Sequence, residues 1–247
     1  DPKFAKGLVK RQVVRVITPG TILDDNLLDP KQNHFLVSLH SEAKRWGFAA
    51  LDITTGLFKV TEFHGDNTES LLEDEIEKFD PKEIILSENS TNEGNKPKWL
   101  ESREHCLQSC EDWIFSYKDS YRLLIEHFKT GSLEGFGCEN LKLAISAAGA
   151  LIRYLHKTQK SALEHINTIN VFNIHNYMLM DQATVRSLEL VQSSEGERKN
   201  SLLDLLDRSQ TAMGARCIRE WVLKPLIDIH SISKRLGQVD TFRNGLI

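Results

Sequence analysis

The stretch that most constrains the fold is residues 201–225, SLLDLLDRSQTAMGARCIREWVLKP. Ser201 and Thr211 each precede an apolar helical pattern, at the N-cap position where a hydroxyl accepts a hydrogen bond from a free backbone N–H. Pro225 ends the second pattern because proline has no N–H to donate. Two such short helices cannot bury their apolar faces alone, so the stretch predicts a larger helical body.

Composition allows a substantial core and argues against some classes of function. Of the 247 residues, 40 % are hydrophobic and 27 % charged, which is typical of a globular chain. The net charge of -4 argues against binding nucleic acid through the charge of the whole chain. An acidic run between Glu69 and Asp80, which includes Glu75, is read as a solvated helix face.

The predicted location is cytoplasmic. Four cysteines in so long a chain do not make a disulfide framework, which indicates a reducing compartment. The most apolar stretch, residues 144–152, is far shorter than the ~20 residues that span a bilayer. We find no signal peptide, and because Asp1 is not a natural start we expect a piece of a longer protein.

The first half of the chain predicts an α/β domain with a mixed sheet. Runs of β-branched and apolar residues favour strands, and Pro19 and Gly20 favour a type II turn after the first run. Gly56 suits a hairpin loop, and a helix with Leu72 and Ile76 inward follows. The predicted strands are residues 13–18, 35–39, 46–53, 57–63 and 83–87, with residues 113–117 as a further edge strand.

The second half predicts helices. Ser120 is the expected cap of one helix, which Gly131 ends, and residues 140–159 hold a regular apolar stripe over five turns. Asp181 is the expected cap of another helix, with Leu188 among its inward residues. The domain boundary is predicted within residues 160–165.

A carboxylate at a strand end raises the possibility of a nuclease. Asp52 lies late in a predicted strand, a place where ribonuclease-H-like enzymes hold a catalytic carboxylate that binds Mg²⁺. That chemistry needs three or four converging carboxylates, and only Glu62 and Glu88 are near candidates. The alternative is a solvated aspartate in a hairpin turn. Similarity of fold alone does not indicate a shared function.

Two other motifs are weak. His105, Cys106 and Cys110 have helical spacing for metal ligands, but no pattern supplies a fourth ligand for zinc, so an ordinary helical surface is favoured. The loop at residues 135–137 is similar to a dinucleotide-binding glycine loop, yet it follows a helix and not a strand, so a turn is favoured. We therefore predict no catalytic, cofactor-binding or metal-binding residue in this chain.

Five segments together resemble the MutS family of DNA mismatch repair proteins. They are VVRVITPGT (13–21), AALDITTGLFKV (49–60), LEGFGCENLKLAISAAGALIRYLHKTQK (133–160), MLMDQATVRSLEL (178–190) and SLLDLLDRSQTAMGARCIREWVLKPL (201–226). The resemblance implies an α/β fold followed by an all-α one. Residues 1–12 would end the mismatch-recognition domain or its linker, 13–160 would form a ribonuclease-H-like connector without an active site, and 161–247 would begin the helical core or lever domain.

The resemblance implies a mechanical and not a catalytic role. In this family the core links an ATPase to the modules that grip mismatched DNA, and the connector bridges them and docks MutL. ATP, Mg²⁺, DNA binding and homodimer formation would belong to the parent protein, through motifs expected outside residues 1–247. Helix 140–159 is the expected coupling element. A MutS-like paralogue with a role in recombination is the remaining alternative within the family.

The candidate partner-binding residues lie on one predicted helix. Tyr121, Arg122, Ile125 and Glu126 lie beside or away from its buried stripe, and they mix aromatic, charged and apolar groups as interfaces do. An ordinary solvated helix face is the competing interpretation.

Overall fold

A mixed six-stranded sheet with flanking helices is followed by a run of helices. The computed structural model describes residues 16, 18–21, 28–91, 96–159 and 163–245. The strands are β1 (Phe35–Glu42), β2 (Arg45–Asp52), β3 (Leu57–Phe63), β4 (Glu83–Ser87), β5 (Leu107–Cys110) and β6 (Asn170–Val171). The helices are α1 (Thr68–Phe79), α2 (Glu88–Thr91), α3 (Tyr117–Phe128), α4 (Lys142–Thr158), α5 (Gln182–Ser187), α6 (Leu202–Leu206), α7 (Ala212–Leu223) and α8 (Ile229–Arg243).

The sheet has the order β5-β4-β1-β2-β3-β6. Strands β1, β2 and β3 form an antiparallel meander, and Gly56 takes a φ of +71° in the loop between β2 and β3, as its lack of a Cβ permits. Strand β4 runs parallel to β1, β5 parallel to β4, and β6 parallel to β3. The predicted fold, a ribonuclease-H-like mixed sheet with flanking helices and then helices, is confirmed.

Alternating side chains along the strands divide the core into two layers. On one face, Phe58 and Val60 of β3 pack with the apolar side of α4. On the other face, Phe48 and Phe63 pack with Leu72 and its neighbours on α1. Both faces of the sheet are therefore covered by helices.

Helix α4 approaches the sheet closely. A Cβ added to Gly47 in β2 would lie 2.1 Å from the Leu143 carbonyl, and one added to Gly149 would lie 2.2 Å from the Ser120 Cβ in α3. The Glu62 carboxylate accepts hydrogen bonds from the backbone N–H groups of Leu143 (2.7 Å) and Ala144 (3.2 Å). This carboxylate satisfies free donors in the first turn of α4 and complements the helix dipole.

The caps of the helical segment, residues 181–245, are those that the sequence predicts. The side chains of Asp181, Ser201 and Thr211 accept hydrogen bonds from the N–H groups of Thr184, Asp204 and Gly214. None of the helices in the described residues combines the length and apolarity that a membrane span requires.

The helical segment leaves much apolar surface open. Met213 is 73 % exposed, and Leu236 and Phe242 of α8 are 63 % and 68 % exposed. A groove of about 390 Å³ lined by apolar side chains, including Leu206, Ile218 and Pro225, lies between α6 and α7.

Several local predictions are wrong. Residues 18–21 form a 3-10 turn (Pro19–Thr21) and not a type II turn, because Gly20 does not take a positive φ. The predicted strand 13–18 lies largely outside the described residues. The edge strand is Leu107–Cys110, whereas the predicted strand 113–117 spans the 3-10 helix Asp112–Phe115 and the start of α3.

Three side-chain positions in the helices also differ from prediction. The N-cap of α3 is Ser116, and Ser120 is buried inside the helix, where its Cβ faces Gly149. The helix ends on Lys129 in the left-handed conformation (φ 53°) and not on Gly131. Leu188 is 60 % exposed, because the chain turns there and buries Leu190 instead.

Candidate functional site: the seam between the sheet and the helical segment

A buried ion pair joins the two parts of the chain. The Lys224 ammonium, directly after α7, donates a hydrogen bond of 2.5 Å to the Glu75 carboxylate in the middle of α1. The other Glu75 oxygen accepts from Lys78 at 2.9 Å. We call the contact region of Lys59, Glu75, Lys78, Phe79, Phe172, Glu220 and Lys224 the seam.

The seam holds Lys224 in an apolar and aromatic environment. Its Nζ lies 4.2 Å from the ring centre of Phe79 and 4.6 Å from that of Phe172, within the range of cation–π attraction. Burial lowers the pKa of Lys224 against the opposing charge of Glu75. Burial alone would raise the pKa of Glu75, but the two ammonium groups outweigh it and hold that pKa below its usual range. Glu75 is thus ionised and paired in the folded protein.

Further contacts extend the seam in both directions. Lys59 of β3 pairs with Glu220 of α7, and Gln182 donates to Glu77 at 2.7 Å. The backbone N–H of Met178 donates to the Pro225 carbonyl at 2.8 Å, beside a bridge between Tyr177 and Leu226. Side-chain contacts therefore fasten the helical segment to the sheet domain, which comprises β1 to β6 and α1 to α4, and backbone contacts fasten it to the stretch after β6.

A second buried carboxylate holds the segment before β1. Glu83 accepts hydrogen bonds from the Tyr154 hydroxyl (2.5 Å), the Thr18 hydroxyl (2.6 Å) and the Gly20 N–H (3.1 Å). A Cβ on Gly20 would lie 2.8 Å from that of Glu83, so the backbone sits directly on this side chain. Burial and the bond to Glu83 raise the pKa of Tyr154. We call this contact the Glu83 anchor.

The candidate nuclease residue is held as a structural group. Asp52 ends β2, is fully buried, and accepts from Asn33 (2.7 Å) and from both the N–H (2.9 Å) and the hydroxyl (2.6 Å) of Thr54. Glu62 is bound to the N-terminus of α4, and Glu88 lies in α2. Asp52 and Glu62 are therefore engaged separately, and in the described part of the chain the three carboxylates do not form a group that could hold a metal ion.

The other sequence motifs are also dispersed. Cys106 ends a 3-10 helix and Cys110 ends β5, so the helical spacing predicted for His105, Cys106 and Cys110 is wrong. Within the described part of the chain, no group of three or more His, Cys, Asp or Glu residues is placed to hold a metal ion. Residues 135–137 form a turn in which Gly137 takes a φ of +75°.

The candidate partner-binding residues lie together on α3. Arg122 is exposed and pairs with Asp119 at 3.3 Å, and Glu126 is also exposed. Tyr121 is half-buried and donates to Glu139 at 2.8 Å, and Ile125 packs partly on the core. The structure thus places these four side chains together on one helix.

Sequence reasoning does not find the seam or the Glu83 anchor. The acidic run predicts a solvated helix face that includes Glu75, and this prediction is wrong for Glu75, which is only 4 % exposed. Its spacing from Leu72 and Ile76 places Glu75 at the margin of the buried stripe of α1. That spacing is the one sequence feature that indicates its burial. Lys224 lies 149 positions away from Glu75 along the chain, so no local pattern links them.

The two parts of the chain each match a known family of domains. The fold defines a two-part segment, in which a mixed-sheet domain is joined to a helical one across a buried ion pair. The family model for MutS domain II matches residues 34–167, and the model for MutS domain III matches residues 183–246. The chain belongs to the MutS family, as the resemblance predicted.

Relatives agree along the whole chain. The chain is 40 % identical to the DNA mismatch repair protein MutS of Halothermothrix orenii over all of its own length, but over 27 % of that relative. It is 42 % identical to MutS of Acetivibrio thermocellus, over 98 % of this chain and 28 % of the relative. It is 41 % identical to MutS of Symbiobacterium thermophilum, over 95 % of this chain and 27 % of the relative. The chain thus spans about a quarter of the length of the curated relatives it matches.

Proposed function

We propose that this chain is the connector and the beginning of the core of a MutS-type mismatch repair protein, where it links mismatched-DNA binding to the ATPase and docks a MutL homologue. The observation that carries the proposal is the buried Glu75–Lys224 pair, which joins the two matched domains. A buried ion pair between two domains fixes their relative position, because moving them apart would leave two buried charges uncompensated. Such a joint transmits a displacement of one domain to the other.

The role proposed for this part of the protein is mechanical. ATP and Mg²⁺, mismatched DNA and homodimer formation are assigned to the parent protein, in the cytoplasm. The seam replaces α4 as the proposed coupling element, since α4 lies between the sheet and α3.

The proposed MutL surface is the outer side of α3, with Tyr121, Arg122, Ile125 and Glu126. Arg122 offers the cleanest test, since its side chain is 78 % exposed and, among the residues that the structure describes, is bonded to Asp119 alone. Arg243 on α8 is a matched control, because it is also 78 % exposed and pairs with an aspartate three residues before it.

The test is calorimetric titration of the chain with the ATPase portion of a cognate MutL. We expect saturable binding that Arg122→Glu weakens about tenfold or more, as expected when a charged contact is reversed, and that Arg243→Glu leaves unchanged. Equal binding by both variants would remove α3 from the proposal. An absence of binding by the unaltered chain would contradict a docking site in these domains.

The alternatives make different predictions. A metal-dependent nuclease would cleave nucleic acid with Mg²⁺ or Mn²⁺ and lose that activity in Asp52→Asn. The bonds to Asn33 and Thr54 support a structural role for Asp52 instead, so that this substitution is expected to lower stability. A paralogue with a recombination role would bind no mismatch-repair MutL.

A further inference from the structure

A small polar cavity lies beside the seam, between α7 and the segment that precedes β1. It has a volume of about 70 Å³. The polar and charged side chains that line it are Lys31, Gln32, Asp80, Gln192, Arg198 and Arg219. Arg216, also on α7, donates a hydrogen bond of 2.5 Å to the Pro30 carbonyl nearby. The cavity therefore lies where the helical segment meets the start of the sheet domain.

The charges around this cavity do not balance. Arg198 pairs with Asp207, and Asp80 accepts from Lys82 at 2.7 Å. Across the described residues, neither the guanidinium of Arg219 nor the ammonium of Lys31 has a hydrogen-bond or ion-pair partner. Asp80 and Asp29 attract the Arg219 guanidinium through space, but among the described residues neither forms a hydrogen bond or an ion pair with it.

Arg219 is the more telling of the two cations. It is half-buried, and burial lowers the pKa of its guanidinium. A charged group that has lost part of its water without gaining an acceptor is unfavourable, and proteins normally pair such groups. An anion that enters the cavity would supply the hydrogen-bond acceptor that the guanidinium of Arg219 lacks.

We propose that this cavity binds a small tetrahedral oxyanion of the phosphate type, held by Arg219 and Lys31. The planar guanidinium fork matches two oxygens of such an ion, and the ammonium adds a point charge. The cavity volume of about 70 Å³ is several times the ~10–15 Å³ that one water needs on the same measure, so a small inorganic oxyanion has room there. The bound ion would connect α7 to the segment before β1, and so stiffen the seam from its open side.

The experiment compares phosphate with chloride at equal ionic strength, with thermal unfolding of the 247-residue chain as the readout. Phosphate should raise the Tm of the unaltered chain along a saturable curve, since a ligand of the folded state stabilises it. Arg219→Gln should weaken the response about tenfold or more, because it removes a charge-assisted bond. Arg208→Gln is the matched control, an exposed arginine in the loop before α7, and it should respond as the unaltered chain does.

The sign of the Arg219→Gln effect separates binding from packing. Without phosphate the variant should be at least as stable as the unaltered chain, because it lacks an unpaired cation. With phosphate it should be the less stable of the two. A residue that only packs would give the same loss in both buffers, and that result would overturn the proposal.

Two further measurements keep the test decisive. Line broadening of the phosphorus-31 signal reports binding of phosphate directly, and Lys31→Gln, at an exposed position, should reduce it even where Arg219→Gln fails to fold. An unaltered chain with the same Tm in phosphate and chloride, and no broadening, would also overturn the proposal. The site stands apart from the proposed MutL docking, so either can fail without the other.

Discussion

The sheet domain buries its apolar side chains, whereas the helical segment leaves many of its apolar side chains exposed. In the sheet domain α1 covers one face and α4 with α3 the other, and buried side chains such as Phe48 and Leu151 are fully enclosed. In the helical segment, Met213, Leu236 and Phe242 are each more than 60 % exposed. Helices with good caps and a regular stripe therefore do not make a core by themselves. The helical segment depends on the seam for its position, whereas the sheet domain has a core of its own.

The largest effect is expected at the seam. Glu75→Leu leaves Lys224 and Lys78 buried without their carboxylate, and breaking a buried pair in this way costs about 4 kcal/mol. Chemical denaturation should show the loss, with the helical segment unfolding before the sheet domain. The double variant Glu75→Leu, Lys224→Met should recover part of it, because it removes the unpaired charge at Lys224 and leaves only Lys78 without its carboxylate. A double variant as unstable as the single one would show that the pair is not the joint.

The second effect compares one leucine from each region. Leu151→Ala in α4 opens a cavity in a closed core and should lower the free energy of unfolding by about 3 kcal/mol. Leu236→Ala in α8 should change it by less than about 0.5 kcal/mol, because that side chain is 63 % exposed. Urea denaturation of the two variants measures both values. Equal losses would mean that α8 has a packed face in solution, and the contrast between the regions would fail.

The smallest effect is a pH dependence confined to the helical segment. Ser209, through its hydroxyl and N–H, and Arg198 donate to Asp207 and hold the pKa of that carboxyl at about 2, below the usual 3.8. Because the folded-state pKa is the lower one, the stabilisation is complete above about pH 4 and is lost as the pH falls towards 2.

Asp207→Asn should therefore reduce amide protection in α6 and α7 at about pH 6, and the difference from the unaltered chain should shrink at about pH 3. Hydrogen exchange resolved by segment gives this measurement. Protection in β1 and β2 serves as the internal control and should not differ between the two proteins. A difference that grows on acidification would contradict the assigned pKa direction.

Sequence was sufficient where the determining contacts are local. The caps Asp181, Ser201 and Thr211 bond to N–H groups three residues ahead, so their chemistry is visible in a short window. The hairpin at Gly56 and the two faces of β3 are equally local. The same locality explains the errors at α3, where Ser116 and Ser120 are both plausible caps and only packing against Gly149 requires Ser120 inside.

The candidate site was not predictable in the same way. Glu75 meets Lys224, and Glu83 meets Thr18, only after the chain has folded back on itself over long separations. A helix with many acidic residues predicts a solvated face. The prediction fails for Glu75, because its partner Lys224 comes from a distant part of the chain. Arg219 is a similar case, since nothing near it in sequence marks it as lacking a partner.

The Glu83 anchor has a consequence for how force passes through the protein. The chain is fixed to the sheet at β4 before the meander begins, and it leaves the sheet through β6 at the far edge. These two fastening points are separated by four strand spacings, roughly 19 Å of continuous hydrogen-bonded ladder. A pulling force applied ahead of β1 is therefore carried across the hydrogen bonds between the strands as far as β6. Because β6 pairs with β3 through two residues, Asn170 and Val171, we expect its hydrogen bonds to break first.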